Sequence, residues 1–428
     1  MVRSRAIIVA GWLTAIAYSF PGYMSTDSVS QLAQSRGLEP LTDGNPPAMA
    51  FLWHILETIV AGPFGMLVLQ TGAFLFGLDA LLRHVTTPRR AAVIAVAVLL
   101  FPPVLAPMGV IWKDSQMCGF ALAGAALLLS PQRWRRFFGC GVLIAATAVR
   151  YNAAAAMLPL VLGLFDPSQR TWGRHLAAMA TWLAIVVLAF AMNSALPATP
   201  EYEWYSSTAL HDLVGTIKYA QTISDATLEA DLTGTPLVVH VDIQKHSRWQ
   251  YTTTNHWNLW HGERRIFDAP GSAAERTAIA AAWWRMVHEH PGAYLRHRWA
   301  VFRSVLNGQF MAVWGSFVEN EYQRALTNSA TVHSHLQLRW LAAMTALAPT
   351  FLFHPGFYFV LALALLPLCR TRVAFALLVS GLCYELALFT FAPSNDFRYS
   401  HWMVTCTIIA TIMTFVSRSR SGTIPGLL

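Results

Sequence analysis

Two aspartates in one short polar stretch offer the clearest chemistry in this chain. Asp27 lies in Tyr23-Met24-Ser25-Thr26-Asp27-Ser28-Val29-Ser30-Gln31, directly after the first apolar run, and Asp43 opens Asp43-Gly44-Asn45-Pro46-Pro47 before the chain turns apolar again. A carboxylate within hydrogen-bond reach of a hydroxyl can act as general base for transfer onto that hydroxyl when the leaving group departs easily. A second acid can orient the first, or share with it an oxygen-ligand site for Mg or Mn. Two separated aspartates are a weak metal signature, however. Each acid also has a purely structural reading. Asp27 or Ser28 can cap a short helix, with Gln31 closing a capping box. Asp43-Gly44 reads as a turn, and Pro46-Pro47 as the start of the next helix. Capping would not exclude catalysis, because a carboxylate at a helix N-terminus stays ionised and oriented.

The elements around these acids are set by lipid. The chain has 428 residues, of which 55% are hydrophobic and only 12% charged, against about 25% charged in a soluble domain. Runs such as 91–112, 176–200 and 355–369 contain no Asp, Glu, Lys or Arg, and apolar stretches of roughly 17–25 residues can cross the hydrocarbon core as helices. The expectation is an all-α polytopic membrane protein of about 11–13 transmembrane helices. Expected spans are 6–20, 64–82, 91–105, 117–129, 138–149, 153–165, 177–196, 299–317, 338–353, 356–368, 373–391 and 402–416. Residues 6–20 follow Met1-Val2-Arg3-Ser4-Arg5 without a small-residue cleavage site, so a retained first helix is expected. The weakest span is 299–317, which carries Arg303 and Asn307. Between 197 and 298 the chain turns polar. There the Asp/Thr/Gly-rich 222–236, the alternating 237–243 and the aromatic 251–261 predict a polar insert of mixed α/β or irregular structure. The domain reading is therefore an N-terminal transmembrane module (1–196) with a first outward loop (21–47), the insert (197–298), and a C-terminal transmembrane module (299–428).

Charge gives the orientation. The net charge of +8 is not clustered as in a nucleic-acid binder, and no nucleic-acid partner is implied. Instead Arg3/Arg5, Arg83/Arg89/Arg90, Arg133/Arg135/Arg136, Arg170/Arg174, Arg370/Arg372 and Arg418/Arg420 fill short loops that would all be cytoplasmic, leaving the Asp27 loop and the insert outside. The five cysteines all fall in apolar stretches, which implies neither a disulfide framework nor a Cys-type zinc site.

Against that pattern, Lys113-Asp114, Arg150-Tyr151-Asn152, Arg296/Arg298 and Asp396-Phe397-Arg398-Tyr399 fall at the outward ends of helices. Each alone can be a snorkelling side chain. Four such clusters opposite two loop acids suit an anionic ligand at the lipid–water boundary, such as a lipid phosphate, for which Arg offers a fork and Lys a point charge. In 283–298 the break at His290-Pro291 and the Trp and Tyr residues fit an interfacial anchor, from which Arg296 and Arg298 could reach a headgroup. His256 and His261, beside Trp257 and Trp260, have a spacing that can bind zinc on a helix, but no Glu-based motif accompanies them. Small residues such as those in 121–126 read as helix packing.

The order of these features resembles the GT-C superfamily of integral-membrane glycosyltransferases, which includes lipid A aminoarabinose transferases and protein O-mannosyltransferases. The likeness rests on one span, an outward loop with an early Asp, and an acid before Pro-Pro. Ile111-Trp112-Lys113-Asp114, Val149-Arg150-Tyr151-Asn152, the segment 283–298 and Ser394-Asn395-Asp396-Phe397-Arg398-Tyr399 extend it to a bacterial branch. It is weakest over 197–277. The resemblance implies that Asp27 is catalytic, that Asp43 supports it, and that Lys113, Arg150 and Arg398 hold the lipid phosphate. Asp114, Tyr151, Asn152, Asp396, Tyr399, Arg296 and Arg298 are supporting residues. Many members have two adjacent acids in the first loop, whereas Ser28 follows Asp27 here, so a divalent cation (Mg or Mn) is not firmly implied. The expected activity is inverting hexosyl or pentosyl transfer from a polyprenyl-phosphate-linked sugar to a glycan or lipid hydroxyl. The expected location is a bacterial inner membrane, with the site facing the periplasm or cell exterior. The rival expectations are a transporter or lipid-carrier flippase, and a non-catalytic membrane scaffold.

Overall fold

A computed structural model describes residues 2–165, 171–220, 223–318, 324 and 332–421 of the chain. Arg170 lies outside these residues, as do the side chains of Arg418 and Arg420. The described chain is helical, with 19 α-helices and no β-strand among those residues. By its internal contacts it forms two units, one of residues 1–199, 311–385 and 398–428 and another of 200–310 and 386–397.

The first unit begins with α1 (Val2–Ser19), α2 (Thr26–Ser35), α3 (Pro47–Glu57), α4 (Phe64–Leu82), α5 (Pro88–Leu99), α6 (Pro102–Met108), α7 (Lys113–Leu128), α8 (Arg133–Val149), α9 (Ala153–Leu164) and α10 (Trp172–Ala195). α4 packs on α7, α7 on α8, and α1 on α5. Glycine makes the first of these approaches possible: a Cβ on Gly77 would stand 2.3 Å from the carbonyl carbon of Leu122, and one on Gly119 2.5 Å from the Gln70 oxygen. Close helix contact through small residues is how apolar helices associate where lipid competes for their side chains. Proline sets another boundary. Pro102 forces the preceding residue out of the helical region, Phe101 is extended at φ −68°, ψ 129°, and α5 and α6 meet at 71°.

Among the described residues four helical segments are long and apolar enough to cross a membrane: α4, α10, Arg372–Phe391 and Phe397–Val416; the bent pair α5–α6 makes a fifth if it is one span. α10 has its Leu176, Leu183, Val187 and Leu188 exposed, as a lipid-facing helix requires. By this measure the 11–13 spans expected from sequence are not reached. The runs 117–129, 138–149 and 153–165 form helices of 16, 17 and 12 residues, which rise only about 18–26 Å. The run 299–317 forms no span at all, because its helix ends at Leu306.

The second unit holds α11 (Leu210–Tyr219), α12 (Asp225–Asp231), α13 (Ile243–Gln250), α14 (Ala273–Glu289) and α15 (Pro291–Leu306). Its own core includes Leu213, Ile217, Ile266, Phe267, Ile279 and Met286. The mixed α/β expectation for the insert is not met among the described residues, where the alternating 237–243 contributes a single bridge, Leu237 to Phe267. α14 starts at a Ser272–Glu275 capping box, and the α14–α15 break falls at His290-Pro291, as the sequence predicts. The chain then returns to the first unit through α16 (His335–Leu347), α17 (Pro355–Leu365), α18 (Arg372–Phe391, whose last residues group with the second unit) and α19 (His401–Ser421). All five cysteines are free thiols.

Candidate active site

Asp27 is placed by a lacing of two loops. Tyr23 donates its N–H to the Gly109 oxygen (3.1 Å) and accepts from the Ile111 N–H (2.9 Å). The Ser28 hydroxyl donates to the Ile111 oxygen at 2.7 Å, and Trp112 Nε1 donates to Ser25 Oγ at 2.8 Å. The second loop is held from beneath by Gln70 of α4, whose amide donates to the oxygens of Met108 and Val110. The laced loops lead into α2 and α7 respectively, so the first turns of those helices become neighbours. The N-cap of α2 is Ser25, paired with Ser28. It is neither Asp27 nor Ser28, and Gln31 closes no box. Asp27 sits in the first turn with its carboxylate free of the capping role.

That carboxylate meets cations. Arg398 Nη1 lies 2.8 Å from Asp27 Oδ2, with the Arg398 side chain 8% exposed and that of Asp27 38%. The Arg398 guanidinium is steered by two rings, at 5.1 Å from the Trp112 centroid and 5.5 Å from that of Tyr399. The other face of the cluster is Arg150, whose guanidinium stands 5.2 Å from the Tyr399 centroid. Its Nε lies 3.2 Å from Asp114 Oδ1 and donates to the Tyr384 hydroxyl at 3.4 Å. Tyr384 in turn donates to Asp114 at 3.3 Å. Lys113 donates to Asn45 Oδ1 at 2.6 Å. Burial would raise the Asp27 carboxyl, but Arg398 first, then Lys113 and Arg150, overcome it and hold the group down at about 2. Three cations thus face two carboxylates, and the more open carboxylate is ionised at every physiological pH.

The remaining expected residues divide between the two units. Asp43 is held through its backbone: its N–H donates to the Thr199 oxygen at 3.3 Å, and its oxygen accepts from the Tyr151 hydroxyl at 3.5 Å. Asn152 is the N-cap residue of α9. Asp396, Arg296 and Arg298 belong to the second unit. Asp396 accepts from Ser394 at 3.2 Å, and Arg296 is exposed. Arg298 is fully buried with its Nε 2.7 Å from Asp212 Oδ1, in a network that His297 and Trp283 join at 2.9 and 2.8 Å. That guanidinium is committed to Asp212, and a headgroup contact would have to break the pair. Tyr384, Trp112 and Asn45 carry the geometry without having been singled out. Trp112 and Asn45 at least sit inside motifs that drew attention for their charges. Tyr384 is one hydroxyl in an apolar span.

Among the described residues no three His, Cys, Asp or Glu side chains gather as metal ligands. The groups around Asp27 are cationic, a donor set that does not fit a divalent ion, so no chemistry is routed through one. The His256/His261 pair likewise gathers no third ligand. No family model matches the chain, and no curated protein matches it.

Proposed function

We propose that this chain is a GT-C-type membrane glycosyltransferase. It moves a hexose or pentose from a polyprenyl-phosphate carrier to a glycan or lipid hydroxyl at the outer face of a bacterial inner membrane. On this reading more helices cross than the four that qualify by length, the shorter ones doing so with their flanking residues. The observation that carries the proposal is the contact of Asp27 with Arg398 in a cluster shared with Lys113 and Arg150.

The acceptor oxygen attacks the anomeric carbon, its proton passes to the Asp27 carboxylate, and the carbon–oxygen bond to phosphate breaks. The electron pair leaves on the lipid phosphate, beside Arg398 and Arg150, and the single displacement inverts the sugar. Fixed cations act most strongly on charge that develops as the bond breaks. A carboxyl held at about 2 is a poor base, since general bases work best with a pKa near the working pH. The donor's own phosphate resolves this. It competes for Arg398, draws the guanidinium off Asp27, and leaves the carboxylate more basic once the donor is bound.

One observation favours a second reading. Glu385 lies fully buried within the candidate span Arg372–Phe391, accepting from Ser400 Oγ at 2.8 Å. A buried acid inside a span is a common mark of ion-coupled transport. Purified protein in vesicles, supplied with labelled polyprenyl-phosphate sugars and candidate acceptors, separates the two. Transfer that Glu385→Gln retains and Asp27→Asn loses supports the enzyme. Translocation of the lipid carrier without transfer, lost in Glu385→Gln, supports the transporter.

A further inference from the structure

A cavity of about 380 Å³ opens beside the start of α5, lined by Thr86, Arg89, Arg90, Val93, Ile94 and Val416. All six residues belong to the first unit. The volume is within the roughly 300–1,000 Å³ of sites that hold small molecules. Arg89 and Arg90 are exposed, and no ion pair of either occurs among the described residues. Four residues on, Val93 and Ile94 lie one helical turn along on the same faces, and Val416 of α19 joins the lining. The cavity is therefore an open groove lined by two guanidinium forks and by branched aliphatic side chains, with Val93 exposed and Ile94 and Val416 half-buried.

Its position adds a second constraint. Pro88, the first residue of α5, begins the bent pair that is one broken span or a re-entrant loop, and Val416 ends the candidate span Phe397–Val416. Whether α5–α6 crosses or re-enters, the cavity lies at the ends of two candidate membrane segments, which in a bilayer is the level of lipid headgroups. Two cations in the first turn of a helix also oppose its dipole, an arrangement that a bound anion would relieve.

We propose that this cavity binds an anionic phospholipid, with its phosphate on Arg89 and Arg90 and the upper part of an acyl chain against Val93, Ile94 and Val416. The apolar wall selects a lipid over free phosphate, and the arginines select an anionic lipid over a zwitterionic one. The site is independent of the transfer reaction and rests on none of its residues.

The test is lipid retention. The full-length protein and its Arg89→Gln/Arg90→Gln variant are extracted from vesicles of phosphatidylcholine, or of phosphatidylcholine with phosphatidylglycerol, and retained lipid is counted by native mass spectrometry. Both arginines are exposed, so the variant keeps its fold, which a matching melting curve checks. The proposal predicts that phosphatidylglycerol is retained preferentially by the parent protein, that the variant loses at least ten-fold of that preference, and that millimolar inorganic phosphate fails to displace the lipid. Equal retention by parent and variant overturns it. So does equal retention of the two lipids by the parent, which would leave only an apolar groove, and so does displacement by inorganic phosphate, which would make the site a simple anion site.

Discussion

Replacing Arg398 with Gln removes one charge from beside Asp27 while keeping a polar side chain. The two charged groups are 2.8 Å apart at their nearest atoms. Unit charges about 4 Å apart interact by about 1 kcal/mol in water and about 4 kcal/mol at an effective dielectric of 20. Because Asp27 is 38% exposed, solvent screening favours the lower part of that range, and the pair adds about 1 kcal/mol or less to folding. With about 1.4 kcal/mol per pH unit, losing Arg398 should lift the Asp27 carboxyl by about half a pH unit to one unit, while Lys113 and Arg150 stay. The sign follows from linkage. A carboxyl depressed in the folded state stabilises above its ordinary value and stops doing so as pH falls through the folded one. The parent protein thus loses this contribution between 3.8 and about 2, and Arg398→Gln has less there to lose. Infrared difference spectra of the carboxyl stretch, with Asp27→Asn as the blank, give the midpoint directly. An unchanged midpoint in Arg398→Gln would mean that Arg398 does not hold the carboxylate, and the shared-cation argument would fail with it. The same substitution should raise the KM for donor well beyond that for acceptor; equal losses would assign Arg398 to folding.

Asp114 is 1% exposed beside Arg150, so Asp114→Asn strands a buried cation. Thermal unfolding should show a loss of about 3–5 kcal/mol, most of it restored in Asp114→Asn/Arg150→Met; no restoration would show that the pair is not the cause. Gly77→Ala drives a Cβ to 2.3 Å from the Leu122 backbone and should destabilise the protein by about 1–3 kcal/mol; a neutral result would mean that α4 and α7 do not pack as described. In the second unit, burial pushes the His211 imidazole well below its ordinary 6.5. Burial also lowers His297, against the opposing hydrogen bond and charge of Asp212, with Arg298 and Lys218 adding to the lowering. The unfolded chain therefore takes up protons first, and stability present above pH 6.5 should decline below it. Limited proteolysis within 200–310 should run faster at pH 5 than at pH 7.5, and equal rates would contradict the burial of neutral imidazoles.

Helical membrane character was legible because composition alone requires it. The His290-Pro291 break was equally plain, since proline at a helix start permits few conformations. The span count was not legible. Apolar runs give length in residues, yet Pro102 ended one helix in mid-run, and others stopped after 12 to 17 residues. The alternation at 237–243 misled because period two needs a partner strand to become a sheet, and among the described residues only Phe267 offered a bridge. Within the site, the charges stood out because lipid makes each one expensive, so Asp27, Arg150 and Arg398 could be grouped before any contact was known. Their connections could not. Tyr384 joins Arg150 to Asp114 across more than 200 residues, and nothing local marks a tyrosine as a bridge. Arg298 looked like its neighbours in the motif, but Asp212 already claims it.

The most direct measurement is single-turnover transfer from a radiolabelled polyprenyl-phosphate sugar, with parent protein and Asp27→Asn compared in the same vesicles at saturating donor. Loss of a positioned general base removes roughly 10²–10⁴-fold in rate, so the account predicts product from the parent and at least a hundred-fold less from the variant, with donor binding retained. Equal rates in the two proteins would contradict it.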